Sequence, residues 1–95
     1  MDVIIIPAYE PDGALVELVD ELKKSDFTIV VVNDGSGEKY NKIFDQISDA
    51  THIVTLEKNC GKGAALKAGM QYIKDNLPEC EYFITCDADG QHRPC

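Results

Sequence analysis

Ninety-five residues allow one domain with a thin core, and 44% apolar with 27% charged residues is the make-up of an ordinary globular protein. A formal net charge of −8 argues against a nucleic-acid partner, because polyanions are held by an excess of Lys and Arg. No apolar run approaches the roughly 20 residues of a membrane-spanning helix.

In chain order, Val3-Ile4-Ile5-Ile6 is a β-branched run ended by Pro7, which predicts a buried strand. Asp12 then caps a helix whose apolar residues Leu15, Leu18, Val19 and Leu22 fall on one face. Phe27 to Val32 is a second apolar strand, closed by Asn33-Asp34-Gly35-Ser36-Gly37. A second helix carries Tyr40, Ile43, Phe44 and Ile47 on one side, and His52 to Leu56 forms a shorter third strand. Gly61-Lys62-Gly63 opens a third helix with Leu66, Met70, Ile73 and Leu77 as its expected buried stripe, and Pro78 closes it. Tyr82 to Cys86 is the fourth strand, followed at once by Asp87-Ala88-Asp89-Gly90.

Strands without polar alternation are buried on both faces, so this βαβαβαβ order predicts an α/β fold. It should have three layers, doubly wound, with a mainly parallel sheet of four strands and three helices. In such sheets ligands bind outside the carboxyl ends of the strands. The polar residues gather there: Pro7-Ala8-Tyr9-Glu10, Asn33-Asp34-Gly35-Ser36, Gly61-Lys62-Gly63 and Asp87-Ala88-Asp89. Any one of these loops is equally a turn or a helix cap. Taken together on one edge they point to a site.

Each motif has a chemistry and a plainer alternative. Asp87 and Asp89 repel one another unless a hard divalent cation, Mg²⁺ or Mn²⁺, lies between them and substrate phosphates; otherwise they are a solvated loop or a cap. Gly61-Lys62-Gly63 at a helix start suits an anion, or is a flexible loop with a solvated lysine. Asp34 either accepts from a base or ribose donor or caps the second helix. Tyr9 either packs on a nucleobase or covers the sheet rim. His92 either meets metal or phosphate or is simply exposed. Cys60, Cys80, Cys86 and Cys95 make no Cys-x-x-Cys pair, and Cys86 reads as a strand residue without a paired base. With Met1-Asp2 leading straight into a strand, free thiols and a cytoplasmic location are expected, with room for a membrane anchor beyond Cys95.

Ile-Ile-Ile-Pro-Ala-Tyr-Glu-Pro, Val-Val-Asn-Asp-Gly-Ser, Asn-Cys-Gly-Lys-Gly-Ala-Ala-Leu and Cys-Asp-Ala-Asp-Gly-Gln-His, in that order, resemble the landmarks of family 2 glycosyltransferases of the GT-A fold. The last two segments are most similar to the branch that charges dolichol or polyprenol phosphate with mannose or glucose. The resemblance implies a nucleotide-sugar site made from Pro7, Ala8, Tyr9, Glu10, Asp34, Lys62, Asp87, Ala88 and Asp89. It implies a divalent metal, Mg²⁺ or Mn²⁺, on Asp87 and Asp89 with Gln91 as a further ligand, and inverting transfer to an acceptor such as a polyprenyl phosphate or a glycan.

This sequence departs from the family pattern at Glu10-Pro11, where Asn-Glu is usual, and at Asn33, where a first Asp is common. The family's base and acceptor site lie downstream of the acidic motif. Residues 1–95 are therefore expected to be the donor-binding part, cut after the Asp-x-Asp motif, with little transferase activity alone and a tendency to self-associate through uncovered apolar surface. Two other readings stay open, a non-catalytic nucleotide-binding module and a nucleotidyltransferase-like domain. The latter should carry a basic Gly-rich loop after the first strand. A dinucleotide fingerprint and a P-loop are both disfavoured by spacing: Gly61-x-Gly63 follows the third strand, and Lys62 precedes Gly rather than Ser or Thr.

Overall fold

The computed structural model describes residues 2–85, with Lys62 through its backbone only. The elements are β1 (Asp2–Ala8), α1 (Gly13–Leu22), β2 (Thr28–Asp34), α2 (Asn41–Ile47), β3 (His52–Leu56), α3 (Lys62–Asn76) and β4 (Tyr82–Thr85). A 3-10 turn over Glu38–Tyr40 leads into α2. The strands form one four-stranded parallel sheet in the order β3-β2-β1-β4.

The apolar runs of β1 and β2 are buried on both faces because helices cover both. Ile4, Ile6, Ala8, Ile29 and Val31 pack with Leu15, Val19 and Leu22 of α1 and with Phe44 and Ile47 of α2. The alternate residues Val3, Ile5, Val30 and Val32 pack with Ala65 and Ile73 of α3 on the other face. Each of the Val, Leu, Ile and Phe side chains among them contributes about 1.5–3 kcal/mol by burial. The three-layer, doubly wound fold expected from the sequence is therefore present. Succession runs β1 to β2 to β3 on one side, and β3 then connects back across to β4 on the other side of β1. Strand order thus reverses between β1 and β4, and that is where such sheets open a crevice.

Three details differ from the sequence reading. Pro7 does not end β1: the strand continues to Ala8, with Pro7 opposite Val32. Among the described residues, pairing with β4 covers Asp2 to Ile5. β2 runs on to Asp34, so the polar pair Asn33-Asp34 belongs to the strand rather than to a turn after it.

The buried line of α3 is also rotated from the expected one. Ala65, Gly69 and Ile73 face the sheet, Leu66 and Leu77 are half-buried, and Met70 is 39% exposed. Small residues let α3 lie close to β1 and β2, while Met70 lines a groove of about 610 Å³ with Leu77, Tyr82 and Phe83. Among the described residues β4 pairs only with β1. No described helix is long and apolar enough to cross a membrane.

Candidate functional site at the carboxyl ends of the strands

Parallel strands deliver their carboxyl ends to one edge, and here the loops at that edge are hydrogen-bonded to one another. Asn33, at the end of β2, is buried and accepts from the Ser36 N–H through Oδ1 at 3.0 Å, which curls the loop back on itself. The Ser36 hydroxyl then reaches across to the loop after β1, accepting from the Glu10 N–H at 2.8 Å and donating to the Ala8 carbonyl at 3.5 Å.

Asp34 makes the second link. Its side chain is 4% exposed, and Oδ1 accepts from the Cys60 N–H at 3.0 Å in the loop before α3. It does not cap α2, whose N-cap position is Tyr40 and lacks a side-chain cap bond. Between these links sits Gly35 at φ 70. A Cβ there would come within 2.2 Å of the Asn59 nitrogen and the Lys58 carbonyl carbon, so only glycine lets the two backbones meet.

Glu10 has φ 47 and is the non-glycine residue with positive φ among those described. Such a backbone costs a residue with a Cβ about 1–2 kcal/mol. It places Tyr9 and Glu10 outward at the head of β1, with Tyr9 51% exposed. The Glu10 charge, assisted by desolvation and a side-chain hydrogen bond with Glu10, raises the Tyr9 hydroxyl above its ordinary pKa of 10.0; Tyr40 and Asp34 push the same way. A second tyrosine at the opposite end of the sheet, Tyr82, is raised by a hydrogen bond to Asp2 and by the Asp2 charge.

Of the residues singled out from sequence, Pro7, Ala8, Tyr9, Glu10 and Asp34 therefore lie together at one edge. The backbone of Lys62 begins α3 two residues after Cys60, with the Gly61 carbonyl already accepting from the Ala65 N–H. Asp87, Ala88, Asp89, Gln91, His92 and Cys86 lie outside the described residues. Among the described residues, the strand that precedes them is parallel to β1, with Thr85 opposite Ile5. Among the described residues no group of three or more His, Cys, Asp or Glu side chains forms a metal site, so the expected ion rests on the acidic motif alone. Asn33, Ser36 and Cys60 are structural members of the site, with no individual role assigned to them from sequence. The Asn-x-x-Ser spacing in a Gly-containing turn is the signal that could have found two of them.

A doubly wound parallel sheet with interlocked loops at its switch point defines a Rossmann-like α/β unit. Residues 3–95 match the family described as Glycosyl transferase family 2, and the chain belongs to that family. It is 32% identical over 101 residues to a dolichyl-phosphate beta-glucosyltransferase of Trichomonas vaginalis, covering 92% of this chain and 30% of that one. It is 31% identical over 101 residues to an undecaprenyl-phosphate 4-deoxy-4-formamido-L-arabinose transferase of Pseudomonas fluorescens, covering 96% of this chain and 28% of the relative. Among solved structures, S. aureus TarS 1–349 in complex with UDP superposes with a TM-score of 0.70 at 26% identity, over 93% of this chain and 27% of that one. The chain thus spans less than half the length of these relatives. The branch of the family that the motifs resemble is the one in which polyprenyl-phosphate transferases appear among its relatives.

Proposed function

We propose that the chain is the donor side of a glycosyltransferase: it binds a nucleoside diphosphate sugar, from which the sugar passes with inversion to an acceptor. The acceptor favoured by the named relatives is a polyprenyl phosphate, with a glycan as the other choice. The observation that carries the reading is the mutual hydrogen bonding of the loops after β1 and β2 and before α3, in a chain of this family that shares its fold with a UDP-bound structure.

In this reading Tyr9 lies along the base, with Pro7 and Ala8 forming the floor beside it. Asp34 fixes the loop with one oxygen and offers the other to a base or ribose donor. The start of α3, with Gly61, Lys62 and Gly63, supplies N–H groups and positive charge to the diphosphate. Asp87 and Asp89, with Gln91, are the residues that would hold Mg²⁺ or Mn²⁺. When bound, that ion offsets the negative charge developing on the departing diphosphate.

The chain covers 28–30% of the named relatives, and donor binding is the part of the reaction proposed for its residues. The 95 residues are then expected to bind donor and to turn it over poorly. A cytoplasmic location, at the face of a membrane if the acceptor is a polyprenyl phosphate, goes with this reading. The groove beside Met70 and Phe83 is the surface through which copies of this chain would associate. Calorimetric titration with UDP and GDP, with and without Mn²⁺, tests the reading. Metal-strengthened binding of one of them is expected, and nucleotide binding indifferent to metal favours a non-catalytic module. Pyrophosphate release from a nucleoside triphosphate would instead point to a nucleotidyltransferase.

A further inference from the structure

We propose that Ser36 is a positioning residue for nucleotide recognition: its hydroxyl holds residue 10 in a left-handed backbone and so sets where Tyr9 and Glu10 stand at the switch point. The inference rests on the nucleotide reading above and deepens it.

Glu10 sits at φ 47 without the usual local reasons. It is neither glycine nor one of the short Asn and Asp side chains that adopt this region readily. Residues held there persist only where the surroundings over-determine them. The fixing contact comes from Ser36, 26 positions along the chain: its Oγ accepts from the Glu10 N–H at 2.8 Å and reaches the Ala8 carbonyl at 3.5 Å. One hydroxyl therefore spans both sides of Tyr9. Ser36 is itself anchored, since its N–H donates to Asn33 Oδ1 at 3.0 Å on β2. At 7% exposure these bonds are shielded from water, which strengthens them. The polar edge is thus set by a buried side chain acting through its neighbour. Removing the hydroxyl frees residue 10 to return to negative φ and carries the exposed Tyr9 and Glu10 side chains away from a common direction.

The test is a double-mutant cycle of Ser36→Ala and Glu10→Asn in residues 1–95, read by UDP affinity in calorimetry and by melting temperature. An asparagine side chain tolerates a left-handed backbone unaided. Ser36→Ala is expected to weaken UDP binding about tenfold with Glu10 present and less than about twofold in the Glu10→Asn background, the size of one net hydrogen bond. Ile47→Val, a core change remote from the edge, should lower the melting temperature and leave UDP affinity unchanged. Equal losses of affinity in both backgrounds would overturn the positioning role. If no form binds UDP, the nucleotide reading fails, and the melting temperatures judge the latch alone: a coupled cycle keeps it, an additive one removes it.

Discussion

The Asp34 carboxylate and the Cys60 backbone N–H, 3.0 Å apart, fasten the end of β2 to the entrance of α3. The bond is part-buried and joins a buried carboxylate to the backbone of an exposed residue, so its loss removes a hydrogen bond to an acidic side chain. Asp34→Ala should therefore cost about 1–3 kcal/mol in urea unfolding. Asp34→Asn, which keeps an acceptor oxygen, should cost less than the alanine change. Equal costs would mean that the clamp contributes nothing beyond side-chain volume.

Gly35 is the position where the same two loops touch backbone to backbone. Gly35→Ala combines φ 70 with a Cβ 2.2 Å from main-chain atoms of Lys58 and Asn59, neither of which can swing aside like a side-chain end. A loss of about 2–4 kcal/mol is expected. A melting temperature within a degree of the parent would show that the loops do not approach as described.

At Gly69 two effects oppose. Alanine in a helix interior gains about 1 kcal/mol over glycine. Here its Cβ would stand 2.8 Å from Ile5 Cγ2 and 3.3 Å from Val32 Cγ2, both on stiff β-branched side chains with no exposure. Overpacking of that kind costs about 1–3 kcal/mol, so Gly69→Ala should lower the melting temperature. At Gly63, where an added Cβ meets nothing within 4 Å, alanine should leave it unchanged or raise it. A rise at Gly69 would contradict the close seating of α3.

The Tyr9 hydroxyl titrates above 10.0 because Glu10 is charged beside it. Its folded pKa exceeds the unfolded one, so any stability tied to this proton is present below pH 10 and is lost as pH rises through the folded value. Glu10→Gln should bring the Tyr9 midpoint, followed by NMR of its ring carbons, back down toward 10.0 while leaving Tyr82 raised by Asp2. An unmoved Tyr9 midpoint would place Glu10 away from that hydroxyl.

Much of this was legible in the residues. β3 runs from His52 to Leu56 as its apolar pattern says, and Asp12 caps α1 by accepting from the Ala14 N–H. Those features are local, set by patterning and capping within a few residues. Pro7 inside β1 was not legible, because its tolerance depends on how β1 pairs with its neighbours in the sheet. Met70 was misplaced for a related reason. Periodicity counts large apolar residues, whereas α3 is seated by Ala65 and Gly69, whose small size is informative only once the sheet beneath is known. Candidate residues Tyr9, Glu10 and Asp34 were found from their place after strands. Their linkage through Ser36 and Cys60 spans 26 positions in each case and has no local signature beyond the Asn33 turn.

The central claim is that these separate turns surround one nucleotide and its cation. Mn²⁺ is paramagnetic and broadens nearby amide signals, so an NMR titration of residues 1–95 with UDP and a trace of Mn²⁺ locates that cation directly. The account predicts broadening centred on the amides of Asp87, Asp89 and Gln91 and reaching those of Tyr9, Glu10, Gly35, Ser36 and Gly61 through Gly63. Broadening centred on Met70, Tyr82 and Phe83, with the strand-end loops unchanged, would contradict it.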